Sequence, residues 1–306
     1  MTTKLLQFVN QKKEMPKKRS GSIRLKDFNE IYNDFNKAES NKQAGRCSQC
    51  GIPFCQVHCP LHNNIPDWLK LTAENRLQEA YEISQSTNNF PEICGSICPQ
   101  DRLCEGNCVI EKGFESVTIG RVEKHITDTA WKEGWVKPLK PVKEINKSIG
   151  IIGSGPAGLA AAEQLRKKGY KVEIYDRYDR PGGLLIYGIP NFKLEKYAVE
   201  RRTKILSKSG IVFHNKFEIG ETISFETIKN KHDAILIATG VYKARELDVP
   251  ELNISNIIPA LDFLIASNKK GLGDMVPEFE NGKLNAKGKN VVVIGGGDTA
   301  MDCVRT

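Results

Sequence analysis

The 306-residue sequence predicts an α/β protein with an α-helical, cysteine-rich N-terminal domain, a Rossmann-like dinucleotide-binding domain and the truncated start of a second Rossmann-like domain. Two observations predict this order. Eight of the nine cysteines lie between Cys47 and Cys108, whereas two glycine-rich segments, each after an apolar run, begin near residues 148 and 290. The predicted domains are therefore residues 1–145, residues 146–285 including a linker, and residues 286–306.

The composition, 40% hydrophobic and 27% charged, is typical of a soluble globular protein. The sequence has neither a signal-peptide core nor an apolar run of the roughly twenty residues that a membrane-spanning helix needs. The net charge of +8 comes from lysines and arginines scattered among acids, except around residues 12–19. Solvent-exposed surfaces explain this charge, although the basic N-terminal segment can equally bind an acidic partner protein. We expect a cytoplasmic protein that binds no nucleic acid and no membrane.

The cysteines form two groups of four. In a reducing cytoplasm, clustered thiols more often bind metal or serve redox chemistry than form disulfides. The spacing is C-x2-C-x4-C-x3-C-P in the first group and C-x3-C-P-x4-C-x3-C in the second, which are Cys47, Cys50, Cys55, Cys59 and Cys94, Cys98, Cys104, Cys108. Proline after a cysteine is typical of ferredoxins, in which the last cysteine of a run ligates the other cluster. The pattern predicts two iron–sulfur cubes; the alternatives are tetrahedral zinc, for which His58 and His62 are spare ligands, and inert buried thiols.

The segment between the two groups predicts helices. Apolar and small residues recur there at helical spacing, with Pro66 near a helix start: Leu69, Ala73, Leu77, Ala80, Tyr81 and Ser84. A helical metal region is expected rather than a zinc ribbon.

The segment "SIGIIGSGPAGLAAAEQLRKKGYKVEIYDRYDRPGG", starting at Ser148, predicts a strand, a glycine turn, a helix and a second strand. Gly153 permits the tight turn, Gly155 lets a pyrophosphate approach the backbone, and Gly158 lets the helix pack against the sheet. Asp176 ends the second strand, where an acid hydrogen-bonds a ribose. The combination favours a dinucleotide site over a merely structural turn, but the motif alone leaves FAD or NAD open.

Two later features are consistent with such a site. Gly182 and Gly183 form a second backbone concavity, and "DAILIATG" predicts a buried strand that ends at Thr239 and Gly240 against a cofactor.

The segment "NVVVIGGGDTAMDCVRT" predicts another strand, glycine turn and helix start, with Gly295, Gly297 and Ala300 at the fingerprint positions. Two dinucleotide sites in one chain imply electron transfer between two cofactors; the alternative is a turn without a ligand. Cys303 is expected to be a small buried hydrophobe or an inert thiol. The chain stops at Thr306 inside this helix, so we expect a fragment of a longer protein or a truncated product, with an incomplete second site.

The order of these motifs resembles the small (beta) subunit of bacterial NADPH-dependent glutamate synthases. The resemblance runs from "CSQCGIPFCQVHCP" to the last residue and rests on "GSGPAGLAAAEQL", "RPGGLLIYGIPNFKLEK", "ATGVYKAR" and "GGGDTAMDC", with "STNNFPEICG" and "TAWKEGWVKP" in addition. The N-terminal half of dihydropyrimidine dehydrogenase and the large subunit of ferredoxin–NADP transhydrogenases share this architecture.

The resemblance implies that NADPH reduces FAD and that electrons leave through two [4Fe–4S] clusters to a large (alpha) subunit, which makes L-glutamate from L-glutamine and 2-oxoglutarate. It implies one cluster on Cys47, Cys50, Cys55 and Cys108 and another on Cys59, Cys94, Cys98 and Cys104. The implied FAD contacts are Gly153, Ser154, Gly155, Pro156, Ala157, Gly158, Asp176, Arg177, Gly182, Gly183, Leu184 and Lys193. The implied NADPH turn is Gly295, Gly296, Gly297, Asp298 and Thr299. NADP rather than NAD rests on the resemblance, and no residue is expected to act as a catalytic acid or nucleophile.

Three hypotheses follow. The chain belongs to the electron-input subunit of glutamate synthase, to a sister electron-transfer flavoprotein with a different acceptor, or to a truncated, non-catalytic binding module in which the cysteine domain docks a partner. The last predicts that partner binding survives replacement of the cysteines by serine.

Overall fold

The computed structural model describes residues 4–244 and 256–306. The chain divides into two compact units, Met1–Lys137 and Pro138–Thr306. This division precedes the boundary predicted after residue 145, and the boundary predicted after residue 285 falls inside the second unit.

The regular structure of the first unit is helical in the residues described. After a short 3-10 helix at Gln7–Val9, the helices are α1 Gly21–Arg24, α2 Lys37–Ala44, α3 Phe54–Val57, α4 Ile65–Ala73, α5 Leu77–Thr87, α6 Pro91–Ile97, α7 Glu111–Phe114 and α8 Ile119–Lys132. The helices predicted between the cysteine groups are confirmed as α4 and α5.

Helix α8 is the centre of this unit because α2, α4, α5 and α6 all pack against it. Its inner face repeats every four residues, with Val122, Ile126 and Ala130 completely buried. Trp68 of α4 is buried too, and its Nε1 donates to Asn63 Oδ1 at 2.8 Å. This core fixes the segments that carry the cysteines.

The starts of α2 and α4 follow from local chemistry. Asn36 Oδ1 accepts from the Glu39 amide at 2.9 Å, and Glu39 Oε2 accepts from the Asn36 amide at 2.9 Å. This reciprocal pair is a capping box. Pro66 occupies the first turn of α4, as expected from its fixed φ and missing N–H.

The second unit is built on a parallel sheet with strand order β3-β2-β1-β4. The strands are β1 Ser148–Ile152, β2 Lys171–Asp176, β3 Val212–Asn215 and β4 Ala234–Ile237, and the helices are α9 Pro156–Lys167, α10 Leu184–Tyr187, α11 Lys196–Lys208, α12 Phe225–Lys231, α13 Ala260–Gly271, α14 Pro277–Glu280 and α15 Asp298–Arg305. None of the described helices in either unit combines the length and the apolar character that crossing a membrane requires.

The predicted strand–turn–helix–strand unit is confirmed as β1, α9 and β2. Ile151 on β1 lies beside Ile174 on β2, α9 packs against both strands, and Leu159 and Ala162 of α9 are buried. Since β1, β2 and β4 run parallel, their carboxyl ends meet at one edge of the sheet, where ligands bind in folds of this kind.

The strand predicted in "DAILIATG" forms as β4, but the prediction that it is buried is wrong for the residues described. Leu236 and Ile237 are 37% and 64% exposed. In the described part of the chain β4 pairs only with β1, so it is the edge of the sheet. An edge strand buries its side chains only where another element covers it.

The strand predicted at residues 290–296 is absent from the described secondary structure, although α15 follows as expected. Val292 and Ile294 are 86% and 76% exposed. A strand needs a neighbour to pair its backbone amides and carbonyls. No described strand pairs with this segment, so its apolar sequence alone does not make it a strand.

Candidate functional site

Four cysteines from distant parts of the chain line one small cavity in the first unit. They are Cys47, Cys50, Cys55 and Cys108. The cavity measures about 20 Å³ and is otherwise mainly apolar, with walls that include Pro53, Phe54, Leu69, Val109, Val117 and Ile119. The set takes three members from the first cysteine group and one from the second, the same four residues that the family resemblance implies for one cluster.

Backbone amides point at the sulfurs of this set. Gln49 adopts a left-handed conformation with φ of 51°, and its amide and side-chain nitrogens lie 3.4 and 3.2 Å from Cys47 Sγ. The backbone amides of Gln56, next to Cys55, and of Ile110 and Val117, near Cys108, favour the thiolate form of these two cysteines by lowering the pKa. Amides aimed at ligand sulfurs are a feature of iron–sulfur sites and influence their potentials.

Burial disfavours the ionised, thiolate form of the cysteines in this set. It raises the pKa of Cys47 and Cys108 above the ordinary value for a thiol, and raises the pKa of Cys55 to about 12. The charges of neighbouring cysteines raise them further. A bound cation is what stabilises such thiolates, so four soft donors in an apolar cavity fit an iron–sulfur cluster.

The remaining four cysteines are associated in two pairs. Cys94 lies in α6, Cys98 caps its C-terminus, and the two side chains share a hydrogen bond. Cys104 interacts electrostatically with Cys59 of the other group. Burial raises the pKa of Cys104, whereas the hydrogen bond with Cys98 is the largest cause of the raised pKa of Cys94.

A buried carboxyl group lies beside these cysteines. Glu123 on α8 is only 9% exposed, and its Oε1 accepts from Asn88 Nδ2 at 3.0 Å. Burial raises the pKa of Glu123 well above its usual range, and the charge of Cys94 adds to this. Glu123 could not be predicted from the sequence, because a glutamate on a helix has no local signal of burial.

Tetrahedral zinc is the alternative that the sequence offers for these thiols, with His58 and His62 as spare ligands. The described residues contain no group of three or more His, Cys, Asp or Glu that forms a site for a single metal ion. His58 and His62 are exposed, and His58 Nδ1 is 3.0 Å from the carbonyl oxygen of Phe54.

In the second unit, the glycine turn has the geometry that its spacing predicts. Gly153 has φ of +107°, which disfavours other residues. A Cβ on Gly158 would lie 2.0 Å from the carbonyl oxygen of Gly153, whereas a Cβ on Gly155 would meet nothing within 4 Å. Helix α9, starting at Pro156 and Ala157, packs closely at Gly158 and leaves space at Gly155, which fits a pyrophosphate at the helix N-terminus.

Asp176 joins the end of β2 to this turn. Its Oδ2 accepts from the backbone nitrogen and the hydroxyl of Ser154, each at 2.6 Å, and its Oδ1 accepts from the Tyr178 amide at 2.9 Å. The Ser154 carbonyl in turn accepts from the Gly182 amide at 3.0 Å. The carboxylate therefore holds the turn in shape.

The other predicted contacts converge on the same turn. A Cβ on Gly183 would lie 2.8 Å from Gly155 Cα, and one on Gly153 would lie 3.1 Å from Thr239 Cα. Leu184 begins α10 directly after Gly183, and Gly240 has φ of +72°. The structure thus brings together three segments that were predicted separately: the glycine turn after β1, the segment at Gly182 and Gly183, and the segment at Thr239 and Gly240.

An aromatic cluster that the sequence did not predict lies beside the turn. The rings of Tyr178 and Tyr187 stack with centroids 4.4 Å apart, and the Arg177 guanidinium lies 4.3 Å from the Tyr242 ring centroid. The Tyr242 hydroxyl is 4.0 Å from a Cβ placed on Gly183. Tyrosines are common in many kinds of site, so their sequence gave no signal of this cluster.

Lys193 lies among acids of the last helix. Its Nζ is 2.7 Å from Asp302 Oδ1 and 3.8 Å from Asp298 Oδ1. The structure therefore places this predicted FAD contact next to the predicted NADPH turn, in which Gly295 has φ of +137° and Gly297 caps α15. Gly296 and Thr299 belong to the same turn and helix start.

Both units match known families. Residues 24–135 match dihydropyrimidine dehydrogenase domain II, 4Fe-4S cluster, and residues 147–306 match the pyridine nucleotide-disulphide oxidoreductases. Among solved structures, FprA of Mycobacterium tuberculosis in complex with NADPH is similar, with 26% identity and a TM-score of 0.45 over 54% of this chain and 36% of that one.

Curated relatives match almost the whole chain. The glutamate synthase [NADPH] small chain of Azospirillum brasilense is 63% identical over 304 residues, which are 99% of this chain and 63% of that protein. The protein of the same name from Escherichia coli K12 is 43% identical over 100% of this chain and 65% of its own length. The putative oxidoreductase AegA of E. coli K12 is 43% identical over 95% of this chain and 44% of its own length. The chain therefore spans less than two thirds of each of these relatives.

Proposed function

The chain belongs to the pyridine nucleotide-disulphide oxidoreductase family, and we propose that it is part of the electron-input subunit of a glutamate synthase. The predicted fold class, a helical 4Fe-4S domain followed by a Rossmann-like oxidoreductase domain, is confirmed by the two family matches. The observation that carries the proposal is the 63% identity to a glutamate synthase [NADPH] small chain over nearly the whole sequence.

The proposed activity is oxidation of NADPH and delivery of electrons to a large subunit that makes L-glutamate from L-glutamine and 2-oxoglutarate. When bound, FAD would accept a hydride from NADPH and release single electrons to two [4Fe–4S] clusters. The residues of the chain bind and orient these groups and exclude water from them. The chemistry needs no side-chain nucleophile, so we assign no catalytic residue.

The cluster sites proposed are the two cysteine sets. Cys47, Cys50, Cys55 and Cys108 hold one cluster, supported by their shared cavity and the amides that face their sulfurs. Cys59, Cys94, Cys98 and Cys104 hold the other, supported by the contacts within the two pairs.

The FAD site proposed is the glycine turn and its surroundings, with its ribose contact at Asp176. It is supported by the open space at Gly155 and by the approach of Gly183 and Thr239 to the turn. We propose that Gly295 to Thr299 form the NADPH turn at the start of α15. The corresponding domains are residues 1–145, 146–285 and 286–306.

A cytoplasmic location belongs to this proposal, because thiolate ligands remain reduced there. The test uses the full-length product of the gene, mixed with the large subunit, NADPH, glutamine and 2-oxoglutarate. We expect NADPH oxidation coupled to glutamate formation. Absence of glutamate from a well-folded complex would refute the proposal.

A sister electron-transfer flavoprotein is the second candidate, favoured by the similarity to the putative oxidoreductase AegA. A cluster-ligand variant separates reduction of the flavin by NADPH from electron transfer through the clusters. Cys98→Ser should stop glutamate formation while NADPH still reduces an artificial dye through the flavin. If the wild-type protein reduces the dye but never supports glutamate formation, the second candidate is favoured.

A further inference from the structure

Arg46 is a completely buried arginine directly before Cys47. Its guanidinium donates to four backbone carbonyls, those of Gln11 at 2.9 Å, Phe114 at 2.5 Å, Glu115 at 2.9 Å and Ser116 at 2.5 Å. All four acceptors are uncharged, and in the described residues no carboxylate forms an ion pair with Arg46. The side chain is therefore a hydrogen-bonded positive charge inside the first unit.

This charge belongs to the site of Cys47, Cys50, Cys55 and Cys108. The guanidinium interacts electrostatically with Cys108. It also holds residues 114–116, which lead directly to Val117, a residue in the wall of the cavity that these cysteines line. Glu111 and Glu115 interact with Arg46 through their charge but are exposed, so water screens them.

The surroundings of the second cysteine set contain carboxyl groups instead of a buried arginine. Glu123 and Glu92, both buried, interact with Cys94, and Glu105, which pairs with Lys13 at 2.9 Å, interacts with Cys104. The amide of Glu105 also donates to the Cys104 sulfur. In the first set, the backbone and side-chain nitrogens of Gln49 lie 3.4 and 3.2 Å from Cys47 Sγ.

The charged and hydrogen-bonding groups around each cysteine set affect how easily the cluster bound there is reduced. A cluster with four thiolate ligands becomes more negative when it gains an electron, so a buried cation and amides that donate to its sulfurs stabilise the reduced form. Nearby carboxylates, when ionised, oppose reduction for the same reason. Given the proposed function, on which this inference rests, we propose that Arg46 raises the reduction potential of the cluster on Cys47, Cys50, Cys55 and Cys108 and makes it the more easily reduced of the two.

The first test is a potentiometric titration of both clusters, followed by electron paramagnetic resonance, in Arg46→Gln and Arg46→Lys. Arg46→Gln should shift the reduction potential of the cluster on Cys47, Cys50, Cys55 and Cys108 to a more negative value. The potential of the other cluster should not change. Arg46→Lys, which keeps the charge but loses the planar fork, should stay near the wild-type potential. A matched control is Arg19→Gln, because Arg19 pairs with Asp27 at 2.8 Å, and this change should leave both potentials unchanged.

A second measurement decides the question if Arg46→Gln does not fold. In the wild-type protein, the signal that appears first on reduction should be the one altered by Cys50→Ser and left intact by Cys98→Ser. Reduction of the Cys98 cluster first would overturn the proposal, as would unchanged potentials in a folded Arg46→Gln variant. Iron and sulfide are measured in every preparation, so that a wild-type chain without clusters counts against the proposed function instead.

Discussion

At the scale of single residues, Lys196 shows how burial sets the chemistry of a side chain. It begins α11 and is only 6% exposed. Its Nζ donates to the carbonyl oxygen of Leu185 at 3.2 Å and also to that of Ile189, so it ties the end of α10 and the following segment to α11. Burial lowers the pKa of Lys196 to about 7. The lysine therefore opposes folding electrostatically while it holds the segment after the glycine turn.

We expect Lys196→Met to remove a pH dependence of stability. The folded pKa of about 7 lies below the value of about 10.4 in an unfolded chain. Between these values the unfolded state binds the proton that the folded state has released, so stability rises with pH. The cost of burying the charge is fully present below pH 7. Urea unfolding of the second unit should show wild type gaining about 1 kcal/mol per pH unit over Lys196→Met between pH 7.5 and 10.

Lys204 provides the matched control, since it lies on the same helix but is exposed. The stability difference between wild type and Lys204→Met should not change over this pH range. A constant difference for Lys196→Met as well would show that the buried amine keeps an ordinary pKa.

Gly158→Ala should destabilise the second unit by about 2–4 kcal/mol and reduce its flavin content, because the new methyl group would lie 2.0 Å from the Gly153 carbonyl oxygen. Urea unfolding and released flavin measure the two effects. Gly271→Ala is the comparison, since a Cβ there meets nothing within 4 Å, and it should leave both quantities nearly unchanged. Equal behaviour of the two variants would contradict the close packing of α9 at Gly158.

At the scale of elements, local chemistry explains the elements that the sequence predicts well. The turn between β1 and α9 and the start of α4 depend on glycine and proline within a few residues, so their spacing reveals them. The burial of β4 depends instead on which elements cover it, and strand formation at residues 290–296 depends on a strand that pairs with them. Apolar runs such as "NVVVI" do not contain that information.

Helix α2 offers a test of a local element. Asn36→Ala removes one half of its capping box and should lower the free energy of unfolding of the first unit by about 1 kcal/mol. Chemical unfolding measures the change, with Lys37→Ala, at the exposed next position, as the control expected to have little effect. A loss as large for Lys37→Ala would mean that the cap is not what stabilises the start of α2.

At the scale of the whole molecule, the chain combines a cysteine-rich helical unit with a dinucleotide-binding unit. Sequence spacing predicts both units and leaves open which cysteines share a site. The ferredoxin-like spacing favours ligands that cross between the two groups of four, but tertiary packing decides which cysteine crosses. Cys108 lies with Cys47, Cys50 and Cys55 because α4 and α8 bring distant segments to one cavity. Arg46 and Glu123 escape prediction for the same reason, since only tertiary packing buries them beside the thiols.

The measurement that tests the central claim most directly is the content of iron, acid-labile sulfide, zinc and flavin per chain in protein purified without oxygen. The eight clustered cysteines predict about eight irons, a matching amount of sulfide and no zinc, with FAD as the flavin released. About two zincs per chain and no sulfide would contradict the account, because four-cysteine zinc sites cannot carry electrons.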